Sequence, residues 1–327
     1  MSPGHDTTFH SMGSDIRLIV GPALLRGLPS PADAAARERR YIEDFARRLS
    51  RFRPESELCA FNADRLREVP TSPLLRTAVA AGLWAAQRSD GLVDPTLVGE
   101  LERVGYEHSQ DGGKPASLRA ALAAAPEPSP ARARPEARWR QVEIDDEHGT
   151  IRRPPGVRID TGGIGKGLAA DAVAHGLRGY TRFVVDCGGD IAVGGVGGQI
   201  DPFAIEVEHP LTGESIHALH VVRGGVATSG MNVRIWKRPD GTFAHHLLDP
   251  SSGEPVWSGL IGATALAPTA LEAETLSKLA LLTGADGARH VLAEHGGVIV
   301  RNDGDVELIG AIATSGGRGS LALGSAA

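Results

Sequence analysis

Cysteine is scarce in this chain: its two cysteines, Cys59 and Cys187, lie far apart, each in a segment rich in apolar residues. Neither belongs to a Cys-x-x-Cys pair or to a Cys/His spacing that is typical of zinc sites. The sequence therefore gives no indication of structural zinc, and we expect two buried, reduced thiols.

Positive charge and long apolar runs are scarce as well. The chain has 34 Lys and Arg against 40 Asp and Glu, so it lacks the basic excess that neutralises nucleic-acid phosphates. No segment reaches the length of a membrane span. Residues 1–8 have neither the basic nor the apolar region of a secretory signal. We therefore expect a cytoplasmic protein with no nucleic-acid partner and no membrane span.

Secondary-structure patterns are mixed along the chain. Apolar periodicity predicts helices at 32–52, 71–87, 269–282 and, ending near 177, after a glycine-rich turn. Strands are predicted at 9–21, 142–144, 150–152, 183–186, 190–193, 203–208, 216–222, 225–228, 243–248, 258–266 and in a hairpin near 297–309. Because helices and strands do not alternate strictly, the pattern favours an α+β fold with mainly antiparallel sheets.

The most informative segment is 158–171, Arg-Ile-Asp-Thr-Gly-Gly-Ile-Gly-Lys-Gly-Leu-Ala-Ala-Asp. A short β-like run ends at Asp160, glycines clear a turn, and a helix follows. The N–H groups that begin a helix are unpaired and favour an anion, and Lys166 adds a positive charge. The common Gly-x-Gly-x-x-Gly and P-loop motifs do not fit here. The segment indicates a site for a pyrophosphate-containing ligand, with a purely structural turn as the alternative.

Seven motifs follow one another in order, and together they resemble the ApbE-like FAD:protein FMN transferases from about residue 9 to the C-terminus. They are Phe9-His-Ser-Met-Gly-Ser14, Leu49-Ser-Arg-Phe-Arg-Pro-Glu-Ser-Glu-Leu58 with Asn62, Asp90-Gly-Leu-Val-Asp-Pro-Thr96, Ile159-Asp-Thr-Gly-Gly-Ile-Gly-Lys-Gly167 with Asp171, Val185-Asp-Cys-Gly-Gly-Asp190, Val226-Ala-Thr-Ser-Gly230 and His246-Leu-Leu-Asp-Pro-Ser-Ser-Gly253.

The resemblance implies an activity and a fold. Members bind FAD, cleave its pyrophosphate with a divalent metal, usually Mg²⁺, and attach FMN through a phosphoester to a Ser or Thr of a flavin-acceptor protein, releasing AMP. Some relatives hydrolyse FAD to FMN and AMP. The implied architecture is α+β and related to the T-fold, with mainly antiparallel sheets flanked by helices.

The same resemblance implies the domain organisation. A single flavin-transferase domain is expected over 9–315, after a disordered N-terminus at 1–8 and before a C-terminal tail at 316–327. The Ala/Pro/Arg-rich residues 109–138 are expected to form a surface excursion with one short helix near 117–125.

Several residues are implied as FAD contacts, some with a structural alternative. Phe52 would stack on a flat ring or anchor the end of a helix, and Asp94 would contact FAD or cap an Asp-Pro turn. Asp160 and Asp171 would bind adenosine or ribose hydroxyls. The structural alternative for Asp171 is a helix position that faces solvent. The other implied contacts are Met12, Gly13, Gly162, Gly163, Lys166, Gly189, Asp190, Thr228, Ser229 and Gly230.

His246, Lys166 and Asp249 are the implied catalytic residues. His246 would assist proton transfer from the acceptor hydroxyl or bind phosphate, since histidine can do either near neutral pH. Without the resemblance, the adjacent His245 would favour an incidental histidine pair. Alternation along a strand puts the two on opposite faces, so only one can face a ligand.

The metal site departs from the family pattern, which combines a carbonyl of the glycine turn with an Asp and a Thr or Ser one turn apart on a late helix. Here Gly165, Glu274 and Lys278 take these positions, and a charged lysine cannot ligate Mg²⁺. Either Glu274 and Lys278 are a solvated pair worth about 0.3–0.5 kcal/mol, or Lys278 puts its ammonium where the metal would lie. Met231 also replaces a frequent Asp.

Three functions follow as hypotheses. The leading one is FMN transfer from FAD to a Ser or Thr of an acceptor protein. The alternatives are an FAD-binding protein without transfer and an FAD pyrophosphate hydrolase, each with the altered metal site.

Overall fold

The computed structural model describes residues 4–110, 113–197, 201–314 and 321–322. Its strands are β1 His5–Ser11, β2 Ser14–Val20, β3 Glu68–Pro70, β4 Glu143–Asp145, β5 Thr150–Arg152, β6 Phe183–Cys187, β7 Asp190–Gly194, β8 Phe203–Glu208, β9 Ser215–Gly230, β10 Ile235–Lys237, β11 Phe243–His245, β12 Leu248–Asp249, β13 Glu254–Pro255, β14 Leu260–Ala267, β15 Gly297–Arg301, β16 Val306–Ile309 and β17 Leu321–Ala322.

The helices are α1 Pro31–Leu49, α2 Glu57–Ala63, α3 Pro73–Arg88, α4 Val98–Arg103, α5 Leu118–Ala123, α6 Gly165–Gly176, α7 Ala270–Leu292 and α8 Ala311–Thr314, with a 3₁₀ turn at Arg138–Gln141. Ser30 and Ser72 cap α1 and α3 through side-chain hydrogen bonds, and each of these helices has a proline in its first turn. No helix in the described part of the chain is long and apolar enough to cross a membrane.

One large sheet organises the chain in the order β1-β2-β6-β7-β9-β14-β15-β16, and each neighbouring pair is antiparallel. β8 joins β9 antiparallel and β17 joins it parallel. Helices α6 and α7 pack against each other and against the centre of this sheet. The predicted α+β class with mainly antiparallel sheets is confirmed.

The start of the chain differs from the sequence prediction. The strand expected over 9–21 is a hairpin that turns at Met12 and Gly13, whose φ angles are 53° and 66°. Two left-handed residues in succession suit the twist of a two-residue hairpin, so the chain reverses there. β1 also begins at His5, so residues 5–8, expected to be disordered, pair with 17–20. Residues 1–3 lie outside the described residues.

Other boundaries shift for similar local reasons. The residues directly before Asp160 form no strand; the backbone of Ile159 instead forms two hydrogen bonds of 2.8 Å with the side-chain amide of Asn62, which takes the place of a strand neighbour. The strands predicted at 216–222 and 225–228 are both part of β9. The helix predicted at 269–282 continues to Leu292 as α7, with a break in its helical geometry at Gly284, whose φ is 71°.

The predicted surface excursion at 109–138 contains α5 where a short helix was expected, although residues 111–112 lie outside the described part. α2 and α4 had no counterpart in the sequence prediction. Most of the expected tail at 316–327 lies outside the described residues; Leu321 and Ala322 pair with β9.

Candidate functional site

A cavity of about 940 Å³ opens between the start of α6, the end of α1 and the side of α7. This volume lies at the upper end of the range for small-molecule sites, about 300–1,000 Å³. The predicted site residues in its wall are Met12, Gly13, Phe52, Asp94, Asp160, Gly162, Gly163, Gly165, Lys166, His246 and Lys278. Residues from opposite ends of the sequence thus meet around one space.

The glycine turn forms one wall of this cavity. Asp160 shapes it, since its Oδ1 accepts a hydrogen bond of 2.9 Å from the N–H of Gly162. A Cβ added to Gly163 would meet no atom within 4 Å, so this part of the turn is open. The residue before α6, Ile164, has no side chain that caps the helix, although Glu274 accepts a hydrogen bond from the N–H of Gly167 in the first turn. The turn therefore leaves room for a ligand beside a helix start that favours negative charge.

Lys166 and Asp190 form an ion pair behind this turn, with 2.5 Å between Nζ and Oδ2. Nζ also donates to the carbonyl of Gly188 at 3.1 Å. Burial by itself lowers the pKa of Lys166, but the carboxylates of Asp190 and Glu274 outweigh burial and raise it. Lys166 is therefore a permanent cation. Asp190 is 1% exposed and lies behind the cavity wall, where its partner is the lysine.

Glu274 and Lys278 lie one turn apart on α7. Glu274 is fully buried; its Oε2 accepts from the N–H of Gly167 at 2.8 Å, and its Oε1 accepts from Nζ of Lys278 at 2.9 Å. Burial raises the pKa of Glu274, as does Asp190, against the opposing effect of Lys278 and Lys166. The Lys278 side chain, 13% exposed, reaches the cavity, so this pair is not a solvated one.

His246 follows strand β11 and lines the cavity, while His245 is buried in the core against Trp257. Burial, followed by the charge of Arg234, holds the pKa of His246 well below its usual value, so its imidazole is neutral. Its Nδ1 is buried and has no hydrogen-bond partner in the described structure. The ring is therefore able to bond to a ligand. Asp249 lies outside the wall, where its Oδ1 accepts from the N–H groups of Arg132 and Ser251.

An aromatic and arginine wall closes another side of the cavity. The guanidinium of Arg51 lies 4.2 Å from the ring centroid of Phe52 and 4.6 Å from that of Tyr106. Tyr106 stacks in turn on Trp236 at 5.4 Å. The Arg51 side chain is 6% exposed, and it lies 3.6 Å from Oδ2 of Asp160.

Sequence reasoning did not select Arg51, Tyr106 or Arg234, although all three line the cavity. Arg51 directly precedes Phe52 in the motif at 49–58, so that motif could have indicated it. Tyr106 and Arg234 lie in loops without a periodic pattern, and only the folded chain brings them to the site. Arg234 adds a further cation close enough to His246 to lower its pKa.

Asp94 lines the cavity and also shapes its own turn. Its Oδ1 accepts from the N–H and the hydroxyl of Thr96 at 2.7 and 2.6 Å. Its Oδ2 is buried and has no hydrogen-bond partner in the described structure. Burial raises the pKa of Asp94 despite these hydrogen bonds. One oxygen therefore acts as the turn cap, while the other is free for a ligand.

The remaining predicted contacts lie outside the wall. Asp171 accepts from the N–H groups of Ala270 and Leu271 at 2.8 and 2.9 Å, so it caps the start of α7. Gly189 donates its N–H to Asp186. The hydroxyl of Thr228 pairs with that of Thr264, and that of Ser229 with Ser277. Thr228, Ser229 and Gly230 belong to β9, which reaches α7 rather than the cavity itself.

Comparison with known proteins points to one family. The sequence model of the ApbE family matches residues 12–301. A FAD:protein FMN transferase of Salmonella typhimurium is 28% identical over 259 residues, which are 76% of this chain and 70% of that protein.

Solved structures show a similar fold. The ApbE protein of Thermotoga maritima superposes with a TM-score of 0.75 at 24% identity, over 94% of this chain and 97% of that one. The flavinyl transferase ApbE of Pseudomonas stutzeri superposes with a TM-score of 0.73 at 23% identity, over 97% and 98% of the two chains.

Proposed function

Because this chain belongs to the ApbE family, whose model covers residues 12–301, we propose that it is a FAD:protein FMN transferase. FAD would be its substrate, and the second substrate would be a Ser or Thr hydroxyl of an acceptor protein. The products would be AMP and a protein that carries FMN through a phosphoester bond.

The observation that carries this proposal is the meeting of three features in one cavity. The open glycine turn at the start of α6 favours an anion, and the cations Lys166, Lys278 and Arg234 lie nearby. His246, neutral because its pKa is lowered, lines the same space. A pyrophosphate gains negative charge as its bridging bond breaks, so preorganised donors and cations lower the barrier.

In the proposed step, the acceptor hydroxyl oxygen attacks the phosphorus on the FMN side of FAD. The bond from that phosphorus to the bridging oxygen breaks, and AMP leaves with the electron pair. His246 would take the hydroxyl proton, because it lines the cavity and its neutral ring has a nitrogen without a hydrogen-bond partner in the described structure. The proton then passes to water.

Magnesium has no step in this proposal. Lys278 is an ammonium with no lone pair to donate, and Glu274 already accepts hydrogen bonds on both of its oxygens. The residues at the implied metal position therefore do not fit a divalent cation.

The test is an incubation of the purified protein with FAD and a candidate acceptor domain, followed by AMP quantification and intact mass measurement. Transfer predicts one AMP for each acceptor that gains the mass of FMN. An acceptor with its target hydroxyl residue changed to Ala is the matched control. AMP and free FMN without a modified acceptor would indicate hydrolysis, and bound, intact FAD would indicate a binding protein; either would contradict the proposal.

A further inference from the structure

We propose that the ammonium of Lys278, held by Glu274, is the positive charge that binds the ligand phosphates at this end of the cavity, and that no divalent cation takes part. The inference rests on the proposed function for the identity of the ligand, FAD. That the positive charge is an ammonium and not a metal ion follows from the contacts of Glu274 and Lys278, whatever the ligand is.

Both carboxylate oxygens of Glu274 already accept hydrogen bonds. Its Oε2 accepts the N–H of Gly167 at 2.8 Å and its Oε1 accepts Nζ of Lys278 at 2.9 Å, while the residue is 0% exposed. Magnesium needs nearly octahedral oxygen ligands at about 2.0–2.1 Å. To reach Glu274, an ion would have to displace Lys278 from inside the protein.

Two ion pairs already lie at Glu274 and beside it. The ammoniums of Lys166 and Lys278 are paired with the carboxylates of Asp190 and Glu274, two of each sign. A divalent ion at Glu274 would add two positive charges beside these two ammoniums. Within the described residues, no group of three or more His, Cys, Asp or Glu side chains is arranged to hold a metal.

Lys278 is placed to meet a ligand. An ammonium has three N–H donors, and the described structure shows one of them bonded, to Glu274. The side chain lines the cavity with 13% of its surface exposed. Its charge also contributes to the lowered pKa of His246, which places it near the proposed base. Lys278 thus holds a fixed cation between the buried carboxylate and the cavity.

The first test uses Mn²⁺ as the probe, with binding followed by electron paramagnetic resonance of the free ion. The wild-type protein is expected to show no saturable Mn²⁺ site that depends on Glu274. Saturable binding in the wild type that is lost in a Glu274→Gln variant would overturn the proposal.

The second test measures the FAD dissociation constant by flavin fluorescence, in EDTA and in Mg²⁺ at matched ionic strength. The wild type is expected to bind FAD equally well in both. A Glu274→Gln/Lys278→Met variant removes one charge of each sign and keeps an acceptor for the Gly167 N–H, so it leaves no unpaired buried charge. Loss of a charged hydrogen bond predicts FAD binding weaker by about tenfold to a hundredfold, without rescue by Mg²⁺.

Four outcomes of the FAD titrations and of the transfer assay, run with and without Mg²⁺, separate this inference from the proposed function. Unchanged FAD affinity in a double variant that melts like the wild type would overturn the proposal, as would tenfold tighter wild-type binding in Mg²⁺. Lysine-dependent FAD binding without AMP release would refute the proposed transfer and support this inference. Transfer that requires Mg²⁺ would support the proposed function and refute this inference.

Discussion

The backbone N–H of Gly167 donates a hydrogen bond of 2.8 Å to Oε2 of Glu274, which joins the first turn of α6 to α7. The two helices touch so closely here that a Cβ on Gly167 would lie 2.6 Å from the carbonyl oxygen of Ala270. A backbone atom cannot move aside as a flexible side-chain end can, so this contact requires glycine.

A Gly167→Ala variant is therefore expected to be destabilised by about 1–3 kcal/mol, the usual cost of overpacking, despite the better helix propensity of alanine. Urea unfolding followed by circular dichroism measures the change. Gly163→Ala is the matched control, because its Cβ would meet nothing within 4 Å.

The Gly163→Ala variant is also expected to bind FAD more weakly. The methyl group of Gly163→Ala would enter the open turn, so FAD affinity should fall while the free energy of unfolding stays near that of the wild type. Flavin fluorescence titration measures the affinity. Unaltered FAD binding would show that this part of the turn does not contact the ligand.

Asp171 is expected to stabilise α7 rather than to bind FAD. Its two oxygens accept from the N–H groups of Ala270 and Leu271, as a capping side chain does. Asp171→Ala should lower the free energy of unfolding by about 1–2 kcal/mol, with a smaller loss for Asp171→Asn, which keeps one acceptor. FAD affinity measured on the folded fraction should not change; a large loss of affinity at full stability would support the alternative, a ribose contact.

His245 is expected to make stability depend on pH. Burial lowers its pKa from 6.5 to about 4 in the folded chain. Between these values the unfolded state binds more protons, so stability is present above pH 6.5 and is lost as the pH falls toward 4. The loss from this residue is about 3 kcal/mol.

His245→Asn isolates this contribution, because asparagine cannot titrate and its amide oxygen is an acceptor for the Leu247 N–H, as Nδ1 of His245 is. Urea unfolding between pH 4 and 7 should show a shallower pH dependence for the variant. Parallel curves for the two proteins would contradict a neutral, buried His245.

His246 is expected to act as a base that stays neutral in mild acid. Burial, the charge of Arg234 and other neighbours hold its pKa well below 6.5. The transfer rate should therefore not fall as the pH drops from 7.5 through 6.5, where an ordinary histidine is protonated. Initial rates of AMP release across this range provide the measurement.

The variant His246→Gln should lower kcat by about 10²–10⁴-fold, the usual contribution of a general base, with little change in the KM for FAD. An equal loss in FAD affinity would instead assign His246 to phosphate binding.

Local sequence patterns predicted much of the fold. Short apolar runs predicted β6 and β7, and helical periodicity with proline and serine at the start predicted α1 and α3. Such signals act within a few residues, so they are visible in sequence. The hairpin turn at Met12 was missed because a methionine in the left-handed region is uncommon.

The candidate site was only partly visible in sequence. The glycine turn and its lysine were visible because the N–H groups at a helix start favour anions wherever a helix begins. The roles of Asp171 and Glu274 were not, because each depends on the contact between α6 and α7, about a hundred residues apart in the chain.

By itself, the sequence determined that a glycine turn with Lys166 begins a helix, that His245 and His246 face different ways, and that a lysine stands at position 278. Tertiary structure alone decided that Glu274 is fully buried, that Lys278 reaches the cavity and that Arg234 and Tyr106 join its wall. The physical reason is range: backbone geometry and periodicity act between near neighbours, whereas burial and charge pairing depend on which distant segments the core brings together.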